Sequence, residues 1–166
     1  TGRRVGAALS SSALSSDPDY VALLVSEFGA ITPENATKWG PLQPDAETWD
    51  FTVAENMVDL AELHGMRVKG HTLVWHNQLP SFVSDTISTE DLRLAMQAHF
   101  ETTLTHFGTQ IADWDVVNEA LLYDGSMRES VFLTQLGTNY LTEAFTMAAE
   151  YAPEARLFYN DYGIEG

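Results

Sequence analysis

The sequence predicts an α/β fold built on a parallel sheet, and three observations predict it. Short strand-like runs alternate with longer amphipathic, helix-like runs along the chain. Of the 166 residues 45% are hydrophobic, and six Tyr, eight Phe and four Trp among them allow one domain with a sizeable core and exclude disorder. Polar and aromatic residues gather after the strands, whereas helix-to-strand turns such as "HGMR" and "APEAR" are brief.

Taken in order, "RRVGAAL" reads as a first strand. "DPDYVALLVSEFG" opens on Asp–Pro, carries Val21, Leu24, Val25 and Phe28 at helical spacing and stops at a glycine, so it reads as a first helix. "AIT" is a short second strand. In "FTVAENMVDLAELHG", Ala54, Met57, Val58 and Ala61 share one helical face that ends at Gly65. "MRVKGHT" is the third strand. Ser88 with Asp91 resembles a capping box, after which Leu92, Met96, His99, Phe100, Thr103 and Phe107 line one face of a long helix. "IADWDVV" is the fourth strand. Helical segments around "ESVFLTQLG" and "NYLTEAFTMAAEYA" follow, the second stopped by Pro153, and "ARLFYN" is the fifth strand.

The segments after the strands read "PENATKWG", "HTLVWHNQLP", "NEALLYDG" and "NDYG". In a (β/α)8 barrel the active site is assembled from such post-strand loops. The expected fold is therefore a (β/α)8 TIM barrel, of which this chain supplies roughly strands 1–5 and helices 1–4. Asn118 and Glu119 then stand where the fourth strand opens onto the catalytic face.

Charge and composition narrow the partners. Acids outnumber bases 24 to 8, a net charge of −16, which repels nucleic acid but costs a neutral polymer such as a polysaccharide nothing. No apolar run approaches the ~18 residues of a membrane span. There is no cysteine, so redox chemistry does not report the compartment. The "TGRR" start lacks a hydrophobic leader, as expected of a cytosolic or an already processed chain.

A carboxylate at a strand's C-terminal end, beside an amide and among Trp and His, suits glycoside hydrolysis. That reaction needs one carboxylic acid to protonate the leaving oxygen and a second carboxylate to attack or to activate water. Glu119 is the candidate acid/base, the alternative being a solvated loop residue. Asn118 would hydrogen-bond a sugar hydroxyl beside the reacting carbon. Glu34, Asn35 and Lys38 place an acceptor, a mixed group and a donor within five residues, which suits a hydroxyl-bearing pyranose edge; the alternative is a surface ion pair between Glu34 and Lys38. Lysine is scarce, occurring only at Lys38 and Lys69. In the third cluster (His71, Trp75, His76 and Gln78), Trp75 would stack on a sugar ring and His71 would hold a hydroxyl or Glu119 itself. The alternative there is a satisfied histidine beside a packing tryptophan. Neither a Cys nor an i,i+4 His pair supports a metal at His71 and His76, and no cofactor or metal is expected. His99 and His106 pack or face solvent, Trp39 and Trp49 pack, Asp161 and Tyr162 support the site, and Asp124–Gly125 is turn chemistry.

Together "TPENATKWG", "GHTLVWHNQLP", "WDVVNEA" and "YNDYGIE" resemble the successive signature loops of family 10 glycoside hydrolases, the endo-β-1,4-xylanases, in order and spacing across essentially the whole chain. The resemblance implies retaining cleavage of internal β-1,4 bonds of xylan. Glu119 matches the acid/base and Asn118 its sugar-binding neighbour. Glu34, Asn35 and Lys38 match the residues that hold the non-reducing-side xyloses, and His71 and Trp75 the walls around the scissile bond. Gln78 matches a position that crowds the place of a glucose hydroxymethyl group. Gly163 departs from the pattern, standing where Asn is usual.

The family's nucleophilic Glu belongs to a segment near strand seven that nothing here matches. Residues 1–166 are accordingly expected to be the N-terminal part of a single glycoside hydrolase catalytic barrel, with xylan or xylo-oligosaccharides as ligand and a C-terminal half-barrel chain completing the fold. The inner faces of its strands are expected to present apolar layers. The alternatives are a xylan-binding or inactive truncated half-barrel and, within enzymes, a cellulase of the same barrel clan. No nucleic-acid or membrane partner is expected, and family analogy implies an extracellular location.

Overall fold

A computed structural model describes residues 3–163 of the protein. Five parallel strands, β1 (Gly6–Leu9), β2 (Ala30–Pro33), β3 (Arg67–Val74), β4 (Ile111–Asn118) and β5 (Arg156–Asn160), form one sheet in sequential order. Helices connect each neighbouring pair, which is the arrangement of part of a (β/α)8 barrel. No helix among the described residues is long and apolar enough to cross a membrane.

The expected helices form where periodicity and caps put them. In α2 (Pro18–Glu27) the Asp17 side chain accepts from the Tyr20 amide at 2.9 Å, and Leu24 turns into the core while Leu23 stays outside. Helix α4 (Thr52–Leu63) buries Ala54, Met57, Val58 and Ala61, the face read from spacing. Helix α5 (Thr89–Phe107) starts with Ser88 accepting from the Asp91 amide at 3.1 Å and buries all six residues of the expected face. Helices α6 (Val131–Leu136) and α7 (Tyr140–Tyr151) form the fourth helical region and bury Phe132, Tyr140, Ala144 and Ala148.

Two short helices lie outside the four expected. Helix α1 (Ser11–Ser16) is serine-rich, and the Ser15 and Ser16 hydroxyls donate back to the Ser11 and Ser12 carbonyls at 2.8 and 2.7 Å. Helix α3 (Trp39–Leu42) is held by burial of Trp39 and Leu42, and Trp39 Nε1 donates to Gln43 Oε1 at 2.9 Å. Neither has the periodicity that announces a helix, because each is a single turn or little more fixed by its neighbours. The ends of the "YNDYGIE" segment, Ile164 and Glu165, lie outside the described residues.

One close approach sets the spacing of the two longest strands. Gly70 of β3 pairs in register with Trp114 of β4, and a Cβ at Gly70 would stand 2.3 Å from the indole. Trp114 also meets Phe107 of α5, so this face of the sheet packs on the helices.

The inner face departs from the apolar layers expected of it. Side chains alternate across a strand, so Asp113 and Asp115, flanking Trp114, point away from the helices. There Asp113 joins Arg67 of β3 and Arg156 of β5, Arg67 Nη2 donating at 2.7 Å and Arg156 Nε at 2.6 Å. Hydrogen bonds and ion pairs across three strands satisfy the buried Asp113 carboxylate, which is what lets it stand where apolar packing was expected.

Candidate active site

Strand β4 delivers the site. It is buried almost throughout and ends at Asn118, after which Glu119 takes a left-handed backbone at φ 54°. That conformation is unfavourable for a residue with a Cβ, and both backbone groups of Glu119 are pinned. Its amide donates to the Asn160 carbonyl at 2.9 Å, and its carbonyl accepts from Arg128 Nε at 2.9 Å. The turn swings the side chain off the strand, where Trp75 Nε1 donates to Glu119 Oε2 at 2.9 Å. One carboxylate oxygen is thus committed to the indole, and Oε1 is left for a reacting partner.

Asn118 stays on the strand, buried, with Oδ1 accepting from Asn160 Nδ2 at 2.7 Å. The amide is oriented by β5, so its own N–H groups are free to donate.

The loops after β2 and β3 interlock. Asn35 Oδ1 accepts from Lys38 Nζ at 2.8 Å and from Gln78 Nε2 at 3.0 Å. Lys38, only 7% exposed, lies 4.3 Å from the centre of the Trp75 ring. Burial lowers the Lys38 pKa, and the charges of Glu34 and Glu119 oppose that shift. The ammonium pairs with Asn35 and the indole face rather than forming a surface ion pair with the exposed Glu34. Glu34, Asn35, Lys38, Trp75, Gln78, Asn118 and Glu119 therefore belong to one constellation at the C-terminal end of the sheet.

Of the two partners expected for His71, a hydroxyl or Glu119, the second is not the one it meets. Its Nδ1 lies 2.9 Å from Asp115 Oδ2, and Trp75 takes the contact with Glu119 instead. Asp115 is 2% exposed, and Lys69 Nζ stands 2.7 Å from its Oδ1 as an ion pair without hydrogen-bond alignment. The Thr37 hydroxyl braces the His71 backbone, donating to its carbonyl at 2.8 Å and accepting from its amide at 3.0 Å. Burial, together with the Arg128 charge, lowers the His76 pKa against the pull of Glu119, and its Nδ1 is buried without a hydrogen-bond partner among the described residues.

Asp161 and Tyr162 sit beside the same turn. Asp161 Oδ2 accepts from the Leu121 amide at 3.3 Å and from the Tyr159 hydroxyl, while Arg128 Nη2 donates to the Tyr162 hydroxyl at 2.6 Å. Asp124 and Gly125 form the expected turn, with Gly125 N donating to Leu122 O at 2.8 Å. His99 is fully buried against Trp39, their ring centres 4.4 Å apart, and His106 meets Glu55 at 3.0 Å. A cavity of about 320 Å³ lined in part by Leu104, Ile111, Tyr151 and Pro153 lies at the opposite end of β4 and contains none of these groups.

Sequence reading passed over Lys69, Asp113, Asp115 and Arg128. The signal for three of them was present: acids at i and i+2 in "DWD" and a lysine two residues before His71 cannot all face the helices. Arg128, nine residues beyond Glu119 in a loop, left no such trace.

The family model "Glycosyl hydrolase family 10" matches residues 1–166. "Endo-1,4-beta-xylanase D" of Talaromyces funiculosus is 40% identical over 161 residues, covering 96% of this chain and 40% of that protein. "Endo-1,4-beta-xylanase B" of Thermotoga neapolitana is 40% identical over 147 residues, 88% of this chain and 42% of that protein. Among solved structures, xylanase 10B of Thermotoga petrophila in complex with xylobiose superposes with a TM-score of 0.93 at 40% identity, covering 98% of this chain and 50% of that one. An endoxylanase from a sugarcane soil metagenome gives 0.90 at 42% identity, over 96% and 48%. The chain spans about two fifths of these curated relatives and about half of these solved ones.

Proposed function

Because the chain belongs to glycosyl hydrolase family 10, we propose that it contributes the acid/base and the non-reducing-side binding residues of an endo-β-1,4-xylanase. The observation that carries this reading is the Glu119 carboxylate, turned off the end of β4 with Oε2 held by Trp75. In the first step, Glu119 donates a proton from Oε1 to the bridging oxygen as a second carboxylate attacks the anomeric carbon. The C–O bond breaks, the leaving sugar departs with that proton, and a glycosyl ester forms. In the second step Glu119, now anionic, takes a proton from the water that displaces the ester, which restores both carboxyl groups and retains configuration.

Retention requires the second carboxylate ~5–5.5 Å from the first. Asp115 is engaged by Lys69 and His71, so we assign the nucleophile to a polypeptide segment outside these residues that completes the barrel. Glu34, Asn35 and Lys38 hold sugar on one side of the bond, His71 and Trp75 wall it, and Gln78 crowds a hydroxymethyl group. The xylobiose bound by the Thermotoga petrophila relative supports xylo-oligosaccharides as the ligand class.

The test uses the enzyme with its barrel complete. Glu119→Gln should slow xylan hydrolysis by about 10² to 10⁴, the usual worth of a general acid. It should affect dinitrophenyl xylobioside far less in the first step, because dinitrophenolate leaves without a proton. Equal losses on both substrates in that step would refute the acid assignment.

A further inference from the structure

We propose that Lys69 is a positioning residue for the reaction, a role that rests on the xylanase reading above. By cancelling the charge of Asp115 it keeps the His71 ring neutral, with Nε2 a hydrogen-bond acceptor at the wall of the scissile bond.

Two acids point the same way from β4, and they are answered differently. Asp113 meets two guanidinium groups, those of Arg67 and Arg156. Asp115 meets one cation and one imidazole. Lys69 Nζ stands 2.7 Å from Oδ1, and His71 Nδ1 lies 2.9 Å from Oδ2. An ammonium is a point charge that sits on one carboxylate oxygen, where the planar fork of an arginine can take both. A lysine here therefore leaves Oδ2 to the histidine.

The ammonium acts through charge rather than by orienting the carboxylate, because its approach to Oδ1 lacks hydrogen-bond alignment. It is held in place from a third strand, lying 5.0 Å from the centre of the Phe158 ring on β5. The Asp115 side chain is only 3% exposed, so water does little to screen it, and Lys69 is the cation that balances it.

Removing that cation would change the ring. An imidazole titrates at about 6.5, and an uncompensated carboxylate in hydrogen-bond contact raises such a value by about 1–3 pH units. Asp115 alone would thus draw a second proton onto His71. An imidazolium donates from both nitrogens and accepts at neither, so a sugar hydroxyl would lose its acceptor. A positive ring would also oppose the positive charge that the oxocarbenium-like transition state develops at the anomeric carbon. With Lys69 in place, cation and carboxylate cancel and neither consequence follows. The other charges nearby are engaged elsewhere: Lys38 with Asn35 and the Trp75 face, and Glu119 with the Trp75 indole. Glu34 is exposed, and His76 lies between the opposed charges of Arg128 and Glu119. Among the described residues, Asp115 is the one acid at ion-pair distance from the His71 ring.

The test follows protonation of the His71 ring by long-range nitrogen–proton NMR of the 166-residue chain across a pH series. Lys69→Met should bind the second ring proton about 1 pH unit or more above wild type, and Lys69→Gln should match it. In Lys69→Met/Asp115→Asn the acid that draws the proton is gone, so the midpoint should return to the wild-type value or below. A purely structural loss at Lys69 would not be repaired by removing a second partner. The Trp114 indole signal, set by the Gly70 approach, should hold its position throughout and reports that β3 and β4 stay in register. A midpoint unchanged in both neutral variants, or still raised in the double variant, overturns the role of Lys69 and leaves the xylanase reading standing. Xylohexaose added to wild type addresses that reading separately. The Trp75 indole N–H should shift, and a signal unmoved at saturating sugar counts against the xylanase reading whatever the charge on His71.

Discussion

At the scale of the residue, the site works by commitment of one oxygen or nitrogen so that the other is free. Trp75 occupies Glu119 Oε2. Trp75→Phe keeps a ring beside Lys38 but removes the indole N–H, and the freed carboxyl should sample orientations that miss the bridging oxygen. Xylan hydrolysis by the completed enzyme should fall ~10- to 100-fold with little change in KM, since misplacement of a reacting group costs rate more than binding; an unchanged kcat would refute the orienting role. The same logic applies to His71, whose Nδ1 faces the buried Asp115. A carboxylate there demands a proton on Nδ1 and leaves Nε2 as an acceptor toward the cleft. Asp115→Asn removes that demand, so long-range nitrogen–proton NMR should show the Nδ1–H form in wild type and a mixture in the variant. Glu119 was legible in the sequence because Asn-Glu after a buried run is chemically conspicuous. The "DWD" alternation marked Asp115 as turned from the helices, but its partners were not legible, because they exist only once β3 is in register.

At the scale of the element, the sheet is held by a charge bracket and one tight approach. Burial alone would raise the Asp113 pKa, but the Arg67 and Arg156 hydrogen bonds outweigh it and hold the carboxyl at about 2 against an ordinary 3.8. A depressed acid stabilises the folded state fully above its unfolded value and loses that contribution as pH falls, here between 3.8 and about 2. Both guanidinium groups are partly exposed, so the contribution is on the order of 1–2 kcal/mol after screening. His99 on α5 acts over a higher window. Burial pushes it down to about 3 from 6.5, with the Leu73 backbone opposing but closing no hydrogen bond to Nε2. The unfolded chain then binds the extra proton first, so stability declines as pH falls from 6.5 toward 3. His99→Phe should flatten the urea midpoint over that upper window while leaving the Asp113 limb below 3.8 in place; an unchanged slope would sink the assignment. Gly70→Ala would place a methyl 2.3 Å from the Trp114 ring, and chemical denaturation should show a loss of about 3 kcal/mol or more.

At the scale of the whole molecule, a net charge of −16 surrounds an inner sheet face on which Arg67 and Arg156 pair with Asp113 and Lys69 pairs with Asp115. Like charges on the outside repel one another and favour expansion, and salt screens them over ~10 Å at 0.1 M. Thermal stability should therefore rise between 10 and 200 mM NaCl at neutral pH, whereas a fall would mean that the inner ion pairs dominate. Strands β1 and β5 are the two edges of the sheet, and edge strands seek partners. Under the proposed function, a C-terminal half-barrel should bind there and raise the melting temperature together with xylanase activity. A mixture that melts as the separate parts and stays inactive would refute that completion.

The strands, the four long helical regions and the family-like loops could be read from sequence because each depends on contacts within about two turns or on the alternation of a single strand. Caps such as Asp17 and Ser88, the apolar faces of α4 and α5 and the position of Glu119 are local in this sense. Tertiary structure alone decided which charges face which. It turned His71 to Asp115 and Trp75 to Glu119, and put a charged bracket where apolar layers were expected. These contacts join residues at least 40 apart in the chain, and their partners come within reach only once strand order, register and loop closure bring separate segments together.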